Sequence, residues 1–174
     1  MSINIQQPAY PPPNGSPAYR DPSQITSFII HHEDGPWDET PLQVDAQHRA
    51  QGWCMIGYTW VIGKDGTIYQ GRPMKMVPAA AEDMNTASVD VSLTGDFQPG
   101  TEGYCGSPTP AQLQSLKELC LWAHQQIPSI AQTIGHRDVA TIMHDPSVAT
   151  ACPGETLYGL IPEVRDYVAQ NLKK

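Results

Sequence analysis

The sequence predicts a single α/β domain in which a central mixed β-sheet is flanked by α-helices and preceded by an irregular, Pro-rich arm. Three observations carry that expectation. Short β-branched, apolar runs recur along the chain, each closed by turn or imidazole residues. Capped amphipathic helices separate them, and an Asp-Gly hairpin between two apolar arms sits mid-chain. A chain of 174 residues has the length of one domain.

Residues 1–24 hold no helical or strand period and contain Pro, Gln and Tyr. They read as a disordered or polyproline-II tail, or alternatively as an arm packed on the domain through Tyr10 and Tyr19. The domain proper is expected over 25–174. "ITSFII" (25–30) is a short buried strand running into His31 and His32. "TPLQVDAQHRAQG" (40–52) is a helix, with Thr40 as N-cap, Pro41 at the first helical position and Gly52 as its stop. "YTWVIGKDGTIYQGR" (58–72) is a hairpin turning at Asp65-Gly66. In "ASVDVSLTGDF" (87–97), Val89, Val91 and Leu93 alternate with Asp90, Ser92 and Thr94, the pattern of a strand with one polar face. Thr109, Pro110 and Gln112 form a capping box before a helix whose inner stripe is Leu113, Leu116, Cys120, Ala123 and Ile127. "SIAQTIGHRD" (129–138) is a strand ending at Gly135-His136, and a last amphipathic helix spans about 156–172.

Composition excludes several functions. The formal net charge is -8 and no Lys/Arg run exists to neutralise phosphates, which argues against a nucleic-acid partner. No window approaches the ~18 apolar residues of a membrane span. The N-terminus has neither the basic nor the apolar region of a secretory signal. Four cysteines in a core-rich chain of this length do not form a disulfide scaffold, although Cys105 could pair with Cys120.

Two strands end alike, in His31 and His136, and strand ends on one sheet edge can lie side by side. Cys152 precedes Pro153-Gly154 and a helix, whose positive end favours a thiolate. Two imidazoles and one thiolate suit Zn²⁺ with a fourth position left for water. Taken singly, each residue has an ordinary alternative: a solvated strand-end histidine, or a small core cysteine. His48, His124 and His144 read as structural or solvated.

Four stretches, "FIIHHEDG", "HRAQGWCMIGYTWVIGKDGTIYQGRP", "NTASVDVSLTGDF" and "IGHRDVA" followed by "TACPGETLY", together resemble the zinc-dependent N-acetylmuramoyl-L-alanine amidases. That family includes T7-type phage lysozyme and the peptidoglycan recognition proteins. The resemblance reaches from about residue 25 to residue 160. It implies that His31, His136 and Cys152 bind zinc, that Tyr58 acts beside the attacking water, and that Thr150 lies near the reacting carbonyl. It further implies cleavage of the lactyl amide between N-acetylmuramic acid and L-alanine. The expected partner is peptidoglycan or a muropeptide, met by a monomer in the cell envelope; an endolysin released through holin pores fits the absent signal.

Two departures from the family pattern bear on oxyanion stabilisation and on substrate contacts. Thr150 stands where phage-lysozyme-like members carry Lys, and Ala80 replaces a His in "VPAAAEDMNTAS", which keeps Asn85 and Ser88. Three rival readings follow from the same residues. One is a non-catalytic peptidoglycan-binding module of this fold, whose members typically lack the Cys ligand. Another is a cysteine hydrolase using Cys152, His136 and Asp138. The last is a structural zinc domain with His32 or His144 as fourth ligand.

Overall fold

In the computed structural model, which describes residues 2–172, six strands form one mixed sheet. The strands are β1 (Ile5–Gln6), β2 (Ser27–His32), β3 (Trp60–Ile62), β4 (Ile68–Gln70), β5 (Ser88–Leu93) and β6 (Gln132–Gly135), in the spatial order β1-β4-β3-β5-β2-β6. Only β3 and β4 pair antiparallel, across the hairpin expected from Asp65-Gly66, where Gly66 has φ +85°. The other pairs are parallel, so β2, β3, β5 and β6 end on one edge of the sheet.

Helices α1 (Pro41–Ala50) and α2 (Pro110–Gln126) begin where the sequence places them. Thr40 and Thr109 each accept from the backbone N–H three residues on, and Gln43 and Gln112 return the bond to the cap. The C-terminal helix is divided into α4 (Glu155–Tyr158) and α5 (Ile161–Asn171), with α3 (Asp138–Ile142) following β6. Pro162 at the first turn of α5 explains the break, since proline starts a helix more readily than it continues one.

Alternation along the strands gives the two faces of the sheet different tasks. Phe28, Ile30, Trp60, Val89, Val91 and Leu93 point toward α2 and α5 and pack on Leu116, Leu119 and Val164. Each such side chain contributes roughly 1.5–3 kcal/mol on burial. The opposite face carries Ile29, His31, Asp90 and Ser92. The polar face of β5 is not solvated: all six of its residues are buried. A buried polar row needs internal partners, and that need builds the site.

The arm does not behave as a tail. Ile5 and Gln6 pair with Ile68 and Tyr69, and Arg49 donates to the carbonyls of Pro11 and Pro12. Buried Arg20 donates to the carbonyls of Met74, Asn85 and Thr86. Tyr10 packs beside Val44 and Val61, whereas Tyr19 is 66% exposed. All four cysteines are free, so Cys105 and Cys120 do not pair.

Candidate metal centre and its cleft

Parallel pairing of β2 with β6 sets Ile30 opposite Gly135, and the His136 N–H donates to the Ile30 carbonyl. The next residues, His31 and His136, therefore lie side by side with ring centroids 4.6 Å apart. Cys152 arrives on a loop that Arg137 clamps. Its backbone N–H donates to the Cys152 carbonyl at 2.9 Å, and its guanidinium donates to Ala151 O at 2.6 Å and to Glu155 at 2.7 Å. The ligand atoms of His31, His136 and Cys152 all fall within 4.8 Å of one another.

The orientation of His31 is fixed from behind. Asp90 Oδ1 lies 2.8 Å from His31 Nε2, and Ser88 Oγ donates to the other carboxylate oxygen at 2.7 Å. With Nε2–H donated to Asp90, Nδ1 faces Cys152 Sγ at 3.7 Å. Burial opposes charge on His31, but the bonds to Asp90 and Cys152 outweigh it and push its pKa up to about 10. His136 goes the other way, down to about 3, through burial and then the charges of His31 and His32. A divalent ion between His31 Nδ1 and Cys152 Sγ would take the place of any proton there. Nitrogen, nitrogen and sulfur donors with a carboxylate behind one histidine fit zinc.

No fourth His, Cys, Asp or Glu joins this trio among the described residues. His144 is exposed, and His32 belongs to a separate group with Asp34 and Asp96. That second group does not suit a metal. His32 Nδ1 accepts the Phe97 N–H at 3.1 Å, which leaves the proton on Nε2, and Asp96 is engaged by Gln98 N–H and Thr101. The cysteine-hydrolase arrangement also fails geometrically. Asp138 Oδ2 accepts from Gly135 N–H and Oδ1 from the Tyr158 hydroxyl, so it does not orient His136. The helix after Cys152 is the single turn α4, too short to act on the thiol as a macrodipole; its close neighbour is His31.

Tyr58 and Thr150 line the same cleft as the trio, a cavity of about 410 Å³. Tyr58 is wedged between rings, 5.3 Å from His31 and 5.5 Å from His48, and His48 stacks in turn on Trp53 at 4.4 Å. Burial and then the charges of Glu33 and Cys152 raise the Tyr58 pKa well above the ordinary phenol value. Thr150 Oγ1 accepts the Cys152 N–H at 3.1 Å, which leaves its own O–H free to donate into the cleft. An adjoining cavity of about 460 Å³ shares Trp53, Ala80 and His136 and continues past Asn85. A larger cavity of about 720 Å³, between Trp37, Tyr69 and the arm, borders none of the trio.

Three contributors escape the sequence reading. Asp90 sits in an alternating strand, and alternation alone cannot tell a site-facing acid from a solvated one; the signal was its register beside the strand that ends in His31. Arg137 follows His136 directly, and its carbonyl partners lie in a distant loop that no local pattern reveals. Glu33 continues the β2 alternation past His31, and burial pushes its carboxyl up to about 7. Glu33 Oε1 and Ser92 Oγ are both buried without a hydrogen-bond partner among the described residues.

Comparison with known proteins agrees with the fold. Residues 21–155 match the N-acetylmuramoyl-L-alanine amidase family. Peptidoglycan-recognition protein SC2 of Drosophila simulans is 30% identical over 149 residues, 80% of this chain and 73% of that protein. The endolysin of Klebsiella phage KP32 is 35% identical over 124 residues, 67% of this chain and 78% of that protein. Among solved structures, N-acetylmuramoyl-L-alanine amidase LysC from Clostridium intestinale superposes with a TM-score of 0.80 at 26% identity, covering 97% of this chain and 99% of that one.

Proposed function

Because the chain belongs to the N-acetylmuramoyl-L-alanine amidase family, we propose that it is a zinc-dependent peptidoglycan hydrolase that cleaves the lactyl amide between N-acetylmuramic acid and L-alanine. The single observation that carries this reading is the convergence of His31, His136 and Cys152 at the end of an open cleft, with no fourth protein ligand among the described residues. Zinc held by those three would supply a water of lowered pKa and a Lewis acid for the amide carbonyl.

The protein's own groups divide the remaining work. Asp90 holds the His31 ring so that Nδ1 faces the metal position, with Ser88 bracing the carboxylate. Tyr58, protonated and packed between His31 and His48, acts on the attacking water by hydrogen bonding rather than as a free base. Thr150 donates its hydroxyl hydrogen to the carbonyl oxygen as negative charge develops there. It does so without the full charge that Lys would bring. The groove continuing past Trp53, Ala80 and Asn85 takes the stem peptide; Ala80 offers no side-chain hydrogen bond. The substrate places the site of action in the cell envelope, and a monomer contains every residue named.

Retention of muropeptide without cleavage is the competing reading, since recognition proteins are among the relatives. A complete donor trio favours catalysis. Incubation of purified sacculi with the protein separates the two: chelator-sensitive, zinc-restored release of free stem peptides supports hydrolysis, and binding without release in the zinc-loaded protein supports a recognition module.

A further inference from the structure

We propose that Glu33 is a positioning residue for Tyr58: its carboxylate takes the hydrogen bond of the Tyr58 hydroxyl, with Ser92 bracing it from the sheet, so that the phenol oxygen turns its lone pairs toward the attacking water. The inference rests on the hydrolytic reading of the cleft and assigns a residue to it.

Placement follows from the strand. The Glu33 N–H donates to the Leu93 carbonyl at 3.0 Å, so the chain stays extended one residue beyond β2. Glu33 therefore projects from the face that carries Ile29 and His31. Asp34 then takes φ +55° and turns the chain out to solvent. On the neighbouring strand Ser92 is in register with His31, on the same face of the sheet. Glu33 lines the cleft with the trio, Tyr58 and Thr150. Its carboxyl lies in the same cleft wall as Tyr58, beside the strand that carries Ser92.

The chemistry leaves one assignment. A carboxyl oxygen that carries no proton accepts whatever its partner oxygen holds, and both neighbours carry rotatable O–H donors. Every other buried acid near the site is already engaged. Asp90 is taken by His31 and Ser88, Glu39 by Gln47, and Asp96 by Gln98 N–H and Thr101. Glu33 Oε1 and Ser92 Oγ remain buried without partners. A phenol whose hydrogen is committed to Glu33 keeps its oxygen as an acceptor, which fixes the direction of its bond to water. Without Glu33, the same hydroxyl rotates freely between donating and accepting.

The test combines kinetics with a spectroscopic readout on protein carrying ¹³Cζ-labelled tyrosine. Glu33→Gln, Tyr58→Phe and the double variant are compared for zinc content, thermal melting and turnover of a defined muropeptide. Glu33→Gln should keep its zinc and its KM and lose about 10- to 100-fold in kcat, the range for an outer positioning partner. The double variant should be no slower than Tyr58→Phe alone. Equal losses from Glu33→Gln in both backgrounds, or no loss at all, overturn the proposal. The Tyr58 resonance, identified by its absence in Tyr58→Phe, should shift in Glu33→Gln; an unmoved resonance also overturns it. Glu33→Ala provides the same readout should the Gln variant fail to fold. A wild-type protein that releases no product while its Tyr58 resonance still shifts would strike the hydrolytic reading and leave the Glu33–Tyr58 pairing standing.

Discussion

Asp90 Oδ1 lies 2.8 Å from His31 Nε2, and both side chains are sealed from solvent. This one contact decides which imidazole nitrogen faces the cleft. A carboxylate behind a histidine fixes its tautomer and raises its basicity as a ligand. Asp90→Asn should therefore lower zinc affinity about 10- to 100-fold while the fold is retained. Competition against a chromophoric chelator measures this, and unchanged affinity would show that Asp90 serves only the core.

Cys152→Ala should abolish both stoichiometric zinc and amidase turnover, whereas Tyr58→Phe should keep zinc and lose most turnover. Cys152 also reports occupancy directly. Iodoacetamide should alkylate it readily in chelator-treated protein and slowly once zinc is restored, with peptide mass spectrometry distinguishing it from Cys54 and Cys105. Alkylation that is indifferent to zinc would point back to a nucleophilic cysteine.

Gly154 has φ +84°, and a Cβ there would meet the Phe97 carbonyl carbon at 2.4 Å. Backbone, not a pliable side chain, fills that space. Gly154→Ala should thus cost about 2–4 kcal/mol in urea unfolding. It should also weaken zinc binding, because the same turn delivers Cys152.

Burial, followed by the charge of Arg72, lowers the His48 pKa to about 4. The unfolded chain binds a proton here near pH 6.5 and the folded one does not, so stability falls as pH drops from about 6.5 toward 4. His48→Gln should remove on the order of 2 kcal/mol of that loss between pH 7 and pH 4.5. His136 titrates in the same sense and leaves part of the slope in place. Urea curves at the two pH values give the difference; an identical slope in the variant would mean His48 is protonated when folded.

Much of this arrangement is written locally in the chain. Thr40-Pro41 and Thr109-Pro110 start their helices because cap and proline act within one turn. Asp65-Gly66 reverses the chain for a similarly local reason. The ends of β2 and β6 announce His31 and His136 because a buried apolar run stops there. What stayed hidden depends on register between distant segments. Asp90 and Ser92 read as one polar face, and only the register of β5 against β2 shows that this face is enclosed. Glu33 joins the cleft because the strand pairing continues through it to the Leu93 carbonyl. The arm looked unstructured because its anchors, Arg20 and Arg49, bond to backbone carbonyls, which no side-chain pattern reveals.

Mass spectrometry of purified sacculi digested by chelator-treated protein, with and without added zinc, tests zinc-dependent amide cleavage most directly. Stem peptides with a free L-alanine amino terminus should be released only in the zinc-loaded sample. Products cut elsewhere in the peptidoglycan, or equal release in both samples, would contradict zinc-dependent amide cleavage.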